Sequence, residues 1–133
     1  MACLTHGIDH LGLTVRDLEK TVAFFTQCLE WKEVGGKPDY PSKFISDGKS
    51  VLTLWQVQND NPESFDRKAN LGLHHLALKI ASEAELRELF ATVKDWPEIE
   101  VECEPEFSGT GPKVHFFVAE PGGLRLEFAW DPR

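Results

Sequence analysis

The chain has 133 residues, with 14 Lys and Arg against 22 Asp and Glu and a formal net charge of −8. A hydrophobic fraction of 41% with 27% charged residues is ordinary for a single globular domain and excludes disordered, collagen-like and coiled-coil architectures. The negative field, with no basic run to offset it, argues against nucleic acid as a partner, and no apolar run approaches the length of a membrane span.

In chain order, Ile8 to Val15 alternates after Asp9, so that Leu11, Leu13 and Val15 share one face of a strand and His10, Gly12 and Thr14 the other. Asp17 has the chemistry of an N-cap, and Leu18, Val22, Phe25 and Leu29 follow at helical spacing. Gly35-Gly36 and Lys37-Pro38 predict a turn, and Phe44 to Gln56 a hairpin around Asp47-Gly48. Residues 57–70 are polar and without period, as in a linker. His75-Leu76-Ala77-Leu78-Lys79-Ile80 then repeats the pattern of His10 to Val15, 65 residues further on. Ser82 with Glu85 makes a capping box before Leu86, Leu89, Phe90 and Val93, and Pro97 stops that second helix. Strands are expected around Glu98 to Glu104, over Lys113 to Ala119, and from Leu124 to Trp130 after the Pro121-Gly122-Gly123 turn.

Two halves of about 65 residues, each running strand, helix, strands, form an internal repeat. One helix covers one face of its sheet, so the opposite, less apolar faces are expected to line something shared. On those faces the first strands carry His10, Gly12 and Thr14 in one half and His75, Ala77 and Lys79 in the other. A three-residue loop at 121–123 would pair Phe117 with Glu127 and put Glu127, Phe117 and His115 on the cavity side. Two neutral imidazoles and a carboxylate on rigid strands are the donors a divalent metal takes while leaving positions open. His10, His75 and Glu127 are the expected ligands.

These features together resemble the vicinal oxygen chelate superfamily, which includes glyoxalase I, methylmalonyl-CoA epimerase, extradiol dioxygenases, fosfomycin-resistance enzymes and bleomycin-binding proteins. The resemblance rests on Asp9 to Val15, on Ala23 to Trp31, on Gly72 to Leu78 and on Glu120 to Phe128. It implies an α+β fold of paired βαβββ modules, a cupped mixed and antiparallel sheet around a metal or ligand cavity. It places a module at 1–56, a linker at 57–70 and a second module at 71–133. It also implies four ligand positions, of which His10, His75 and Glu127 fill three. Thr53 stands at the fourth, where glyoxalase I has Glu, so water or no ligand is expected there. Fosfomycin-resistance transferases have Thr and Tyr where Gly12 and Phe117 stand.

His115 shares the face of Glu127, away from the ligand position, and could shuttle protons. Trp55, two residues after Thr53, and Lys79 are placed beside a substrate, and Ser108 to Pro112 forms a loop on that side. His74 points away from His75, as a packed or interface histidine. Glu30 replaces the family's usual glycine after the first helix, an unfavourable cap. The expected cofactor is Fe, Mn, Zn or Ni, serving lyase or isomerase chemistry, or extradiol dioxygenation, on a small oxygen-chelating substrate. The competing reading is a metal-free protein that sequesters a small molecule. Three widely spaced cysteines suggest neither a disulfide framework nor a thiolate zinc site, and the N-terminal residues lack signal-peptide character. A cytoplasmic homodimer is expected.

Overall fold

The structure is a computed structural model and describes residues 2–133. It divides into two compact units, one ending at Asp60 and one beginning at Asn61. In the first, β1 (Leu11–Val15) leads to α1 (Leu18–Ala23), a π turn (Phe24–Cys28), β2 (Lys32–Lys37), β3 (Tyr40–Ser46) and β4 (Val51–Gln56). In the second, β5 (Leu76–Lys79) leads to α2 (Glu83–Val93), β6 (Glu100–Phe107), β7 (Val114–Ala119) and β8 (Arg125–Trp130). The sheet orders are β1-β4-β3-β2 and β5-β8-β7-β6. In both sheets the first strand lies parallel to the last and the other neighbours are antiparallel. This is an α+β fold built from a repeated βαβββ element.

Asp17 caps α1 by accepting from the Lys20 N–H (3.1 Å). Of the expected stripe Val22 and Phe25 are buried and Leu18 and Leu29 only partly so, because the π turn adds a residue and brings Phe24 and Cys28 inward as well. The Leu29 N–H bonds to the Phe24 carbonyl (3.1 Å), closing the widened turn. Phe24 and Phe25 are fully buried and meet edge to face (5.5 Å), and Phe25 does the same with Trp31 (5.2 Å). Glu30 ends the segment at φ 62°, the left-handed conformation that glycine adopts without strain. A side chain there costs on the order of 1 kcal/mol.

Gly35 and Gly36 do not form the expected turn; they lie inside β2, and the turn falls at Pro38 and Asp39. A side chain at Gly36 would come within 2.8 Å of the Ser42 carbonyl, so glycine lets β2 approach β3 closely through an irregular register.

In the second unit Ser82 accepts from the Glu85 N–H (3.1 Å) and donates its hydroxyl to the Glu85 carboxylate (3.1 Å). From α2, Leu86 and Val93 are fully buried. Phe90 packs edge-on against Phe116 (5.1 Å), which stacks on Phe128 (4.8 Å). Each such buried side chain contributes about 1.5–3 kcal/mol. With Leu126 and Val118 they cover the helix side of the sheet, leaving the alternate residues of β7 and β8 to the other face. The strand expected at 98–104 runs instead over Glu100–Phe107. Among the described residues, no helix is long and apolar enough to cross a membrane.

Candidate functional site

Strand β8 lies between β5 and β7, and the register puts Ala77, Glu127 and Phe117 in one row and Lys79, Ala129 and His115 in the next. The expected Phe117–Glu127 pairing is therefore present. Diagonal neighbours on one sheet face are within reach of long side chains, so Glu127 meets an imidazole from each side. Its Oε1 is 3.2 Å from His75 Nε2 and its Oε2 is 2.8 Å from His115 Nδ1. Glu127 is 8% exposed. The Phe117 ring lies edge-on to both imidazoles, at 5.4 Å from His75 and 5.2 Å from His115. His115 thus touches the Glu127 carboxylate directly, closer than its expected place away from the ligand position. Lys79 sits one row further along and is exposed.

Hydrogen bonds fix which nitrogen of His75 is free. Arg125, two residues before Glu127, grips Glu102 through two bonds (2.7 and 2.6 Å) and lies over the Phe117 ring (4.2 Å). Its Nη1 is 3.2 Å from His74 Nδ1. A guanidinium only donates, so His74 Nδ1 is an acceptor. His75 Nδ1, 2.8 Å from that same atom, must then donate its N–H. Incomplete hydration of His74, followed by the nearby Arg125 charge, holds its pKa below the ordinary range, in keeping with an accepting, neutral ring. The lone pair of His75 is left on Nε2, facing a carboxylate oxygen. That opposition is unfavourable unless a proton or a metal cation lies between. Nitrogen and oxygen ligands of one divalent ion stand on the order of 3 Å apart, so the pair fits a cation.

The expectation that His74 points away from His75 is not met, since the two rings lie 5.1 Å apart. Regular alternation starts only at Leu76, and His74 and His75 precede it.

In the first unit the corresponding rows are Gly12, Thr53 and Phe44, then Thr14, Trp55 and Ser42. Thr53 therefore occupies the place that Glu127 has in the second unit. Thr53 is 6% exposed, and its hydroxyl accepts from Trp55 Nε1 (3.0 Å). Gly12 leaves it room: a Cβ there would lie 3.1 Å from Thr53 Oγ1. Trp55 packs against Tyr40 (4.9 Å) and Phe44 (5.6 Å). His10 donates from Nδ1 to Asp9 (2.7 Å), which directs its Nε2 lone pair outward. Carboxylate-oriented imidazoles of this kind are common among metal ligands.

Sequence reasoning missed Arg125, Cys103 and Glu106. Arg125 shares its strand face with Glu127 and was legible from alternation alone. Cys103 and Glu106 lie on β6, where two irregularities break the alternation; Pro105, inside that strand, was the available signal.

Residues 7–128 match the family model for the Glyoxalase/Bleomycin resistance protein/Dioxygenase superfamily. Among solved structures, the chain is similar to a putative glyoxalase from Bacillus halodurans, with TM-score 0.78, 24% identity, and 92% of this chain and 94% of that one covered. It is similar to a lactoylglutathione lyase from Agrobacterium tumefaciens, with TM-score 0.72, 20% identity and 96% of each chain covered. It is similar also to a genomically encoded fosfomycin resistance protein from Listeria monocytogenes, with TM-score 0.73, 19% identity, and 96% of this chain and 94% of that one covered. A search of curated proteins returned no match. With its repeated βαβββ units and a family match spanning nearly its whole length, the chain belongs to the glyoxalase/bleomycin resistance protein/dioxygenase superfamily.

Proposed function

We propose that this protein is a divalent-metal-dependent enzyme that moves a proton on a small substrate presenting two neighbouring oxygens, in lyase or isomerase chemistry of glyoxalase type. The observation that supports it best is the division of Glu127, with Oε1 against His75 Nε2 (3.2 Å) and Oε2 against His115 Nδ1 (2.8 Å). His75 and Glu127 are two of the ligands, and His10 is the third that the sequence assigns. When bound, the cation supplies Lewis-acid stabilisation of an oxyanion developing on the substrate. Mixed imidazole and carboxylate donors suit Mn, Fe, Ni or Zn. Glu127 accepts the substrate proton at its carboxylate, and His115, held at Nδ1, exchanges protons with it. His115 Nε2 faces Glu106 (3.6 Å), a half-exposed carboxylate. The sequence assigns Gly12, Thr53, Trp55, Phe117 and Lys79 to the substrate-facing set.

A two-histidine, one-carboxylate donor set also suits Fe(II) ring-opening dioxygenation, and the assays separate the two. Protein purified without a histidine tag is expected to carry metal, one equivalent of which the His10→Ala/His75→Ala double variant loses; an equal metal content in the two would overturn the proposal. Negligible metal in both would overturn the proposal in favour of a metal-free sequestering protein, with the Tyr40–Trp55–Phe44 cluster as its binding surface. Turnover of the methylglyoxal–glutathione hemithioacetal supports lyase chemistry. Oxygen uptake on catechols after anaerobic Fe(II) loading supports the dioxygenase.

A further inference from the structure

Strand β6 forms the edge of the second sheet and pairs with β7 through two register shifts. Val101 pairs with Val118, Cys103 with Phe117, and Glu106 with His115. Five steps along β6 thus match three along β7, so β6 carries two extra residues, one in each interval. Bulges of this kind re-aim side chains and mark sites more often than chance. Here each has a specific consequence. The first moves Cys103 opposite Phe117, on the face that also carries Glu127 and His115. Without the second, Pro105 would stand opposite His115 and Glu106 would point to the helix side. The two bulges together bring a thiol, a carboxylate and an imidazole to one place, with ligand atoms all within 4.8 Å of one another.

We propose that Cys103, Glu106 and His115 form a second metal site, distinct from the His75–Glu127 pair, that takes a thiolate-preferring divalent cation such as Zn²⁺. The donor set is sulfur, oxygen and nitrogen, which favours zinc or cobalt over magnesium or calcium. His115 is already oriented for it. Glu127 accepts from Nδ1 (2.8 Å), which leaves Nε2 as the ligand atom, turned toward Glu106 (3.6 Å). A carboxylate holding the far nitrogen of a histidine is the usual outer support of such a ligand. The His115 side chain is 13% exposed and that of Glu106 58%, so the site has a fixed inner wall and an open entry. In the metal-free protein burial holds the Cys103 thiol above the usual range, and the charge of Glu106 adds to this. Binding therefore displaces the thiol proton to solvent.

The test uses the full chain, reduced, with Co²⁺ as the probe. Wild-type protein is expected to show the near-ultraviolet thiolate-to-cobalt charge-transfer band on titration, with release of a proton. Cys103→Ser and His115→Ala are expected to abolish the band, while Cys3→Ser and His75→Ala keep it. Glu106→Gln, at an exposed residue where misfolding is not at issue, should weaken cobalt binding about tenfold or more. No band in the wild type, a band that survives Cys103→Ser, or one that His75→Ala removes would each overturn the proposal. The result does not depend on the enzymatic reading, since a protein without catalytic metal at His75 would still give the band.

Discussion

Glu127→Gln separates a metal ligand from a structural carboxylate. The side chain is 11% exposed and keeps its shape in the variant, so packing is preserved and only charge and donor pattern change. In the metal-free protein at pH 8, where histidines are ordinarily uncharged, the amide can satisfy both neighbours. Its oxygen accepts from His115 Nδ1 in place of Oε2, and its NH₂ donates to His75 Nε2 in place of Oε1. An opposed lone pair becomes a hydrogen bond, and one charge-assisted bond becomes neutral. These changes offset each other to within about 1 kcal/mol, or roughly 4 °C in melting temperature for a chain of this size. Metal binding loses its only anionic ligand, and affinity should fall by at least about 100-fold, the upper range for even an outer hydrogen-bond partner. Thermal denaturation in chelator and calorimetric Mn²⁺ titration measure the two effects. If Glu127 instead neutralises buried imidazolium charge, the variant should lose about 3–5 kcal/mol with metal affinity unchanged, and that pattern would refute the reasoning.

The remaining expectations concern other groups in the two units. His74→Phe removes the acceptor that sets the His75 tautomer, so metal affinity should drop about tenfold at unchanged stoichiometry; an unaltered titration would sink the tautomer argument. Gly12→Val places a branched side chain where even a Cβ lies 3.1 Å from Thr53 Oγ1 and 3.7 Å from Trp55 Nε1. It should cost about 1–3 kcal/mol and alter the tryptophan near-ultraviolet signal; an unchanged melt would contradict the close approach. Arg125 holds Glu102 below its ordinary pKa, chiefly through its hydrogen bonds. A depressed carboxyl contributes stability above its unfolded pKa and loses it as pH falls through the folded value. Arg125→Ala should therefore remove a pH-dependent increment that is full at pH 6 and vanishes under acid. With Glu102 at 38% exposure, that increment is below about 1 kcal/mol. Denaturant unfolding across pH checks it, and a wild-type-minus-variant difference that does not change with pH would contradict it.

Regular strands were legible because period-2 alternation is a local property. Phe117 opposite Glu127 followed from a three-residue loop and a count, and the structure has that register. Legibility ended where the backbone left regular geometry. The π turn moved the buried set of the first helix from Leu29 to Cys28 and Phe24, because one added residue rotates everything after it. Gly35 and Gly36 looked like a turn, since glycine marks both tight reversals and close strand approach, and only the neighbour decides between them. Cys103 and Glu106 were invisible to alternation because two bulges change the face on which each residue falls. His74 and His75 precede the first hydrogen-bonded residue of β5, so the rule that separates adjacent side chains did not apply to them.

The two units also show what a shared backbone leaves free. Each presents the same two rows: Gly12, Thr53 and Phe44 correspond to Ala77, Glu127 and Phe117, and Thr14, Trp55 and Ser42 to Lys79, Ala129 and His115. The titratable groups are concentrated in the second set. In the first, the position of Glu127 holds a hydroxyl already engaged by Trp55, and that of His115 holds Ser42, which accepts from the Lys37 N–H (2.9 Å). The space that Ala129 leaves small is filled at Trp55 by an indole packed on Tyr40 and Phe44. Proton exchange needs a paired carboxylate and imidazole, and of these rows only those of the second unit have them. Of these rows only those of the first unit carry an indole, which with Tyr40 and Phe44 makes an aromatic cluster. The duplicated fold supplies equivalent positions, and the side chains at two rows give each half a chemical character of its own.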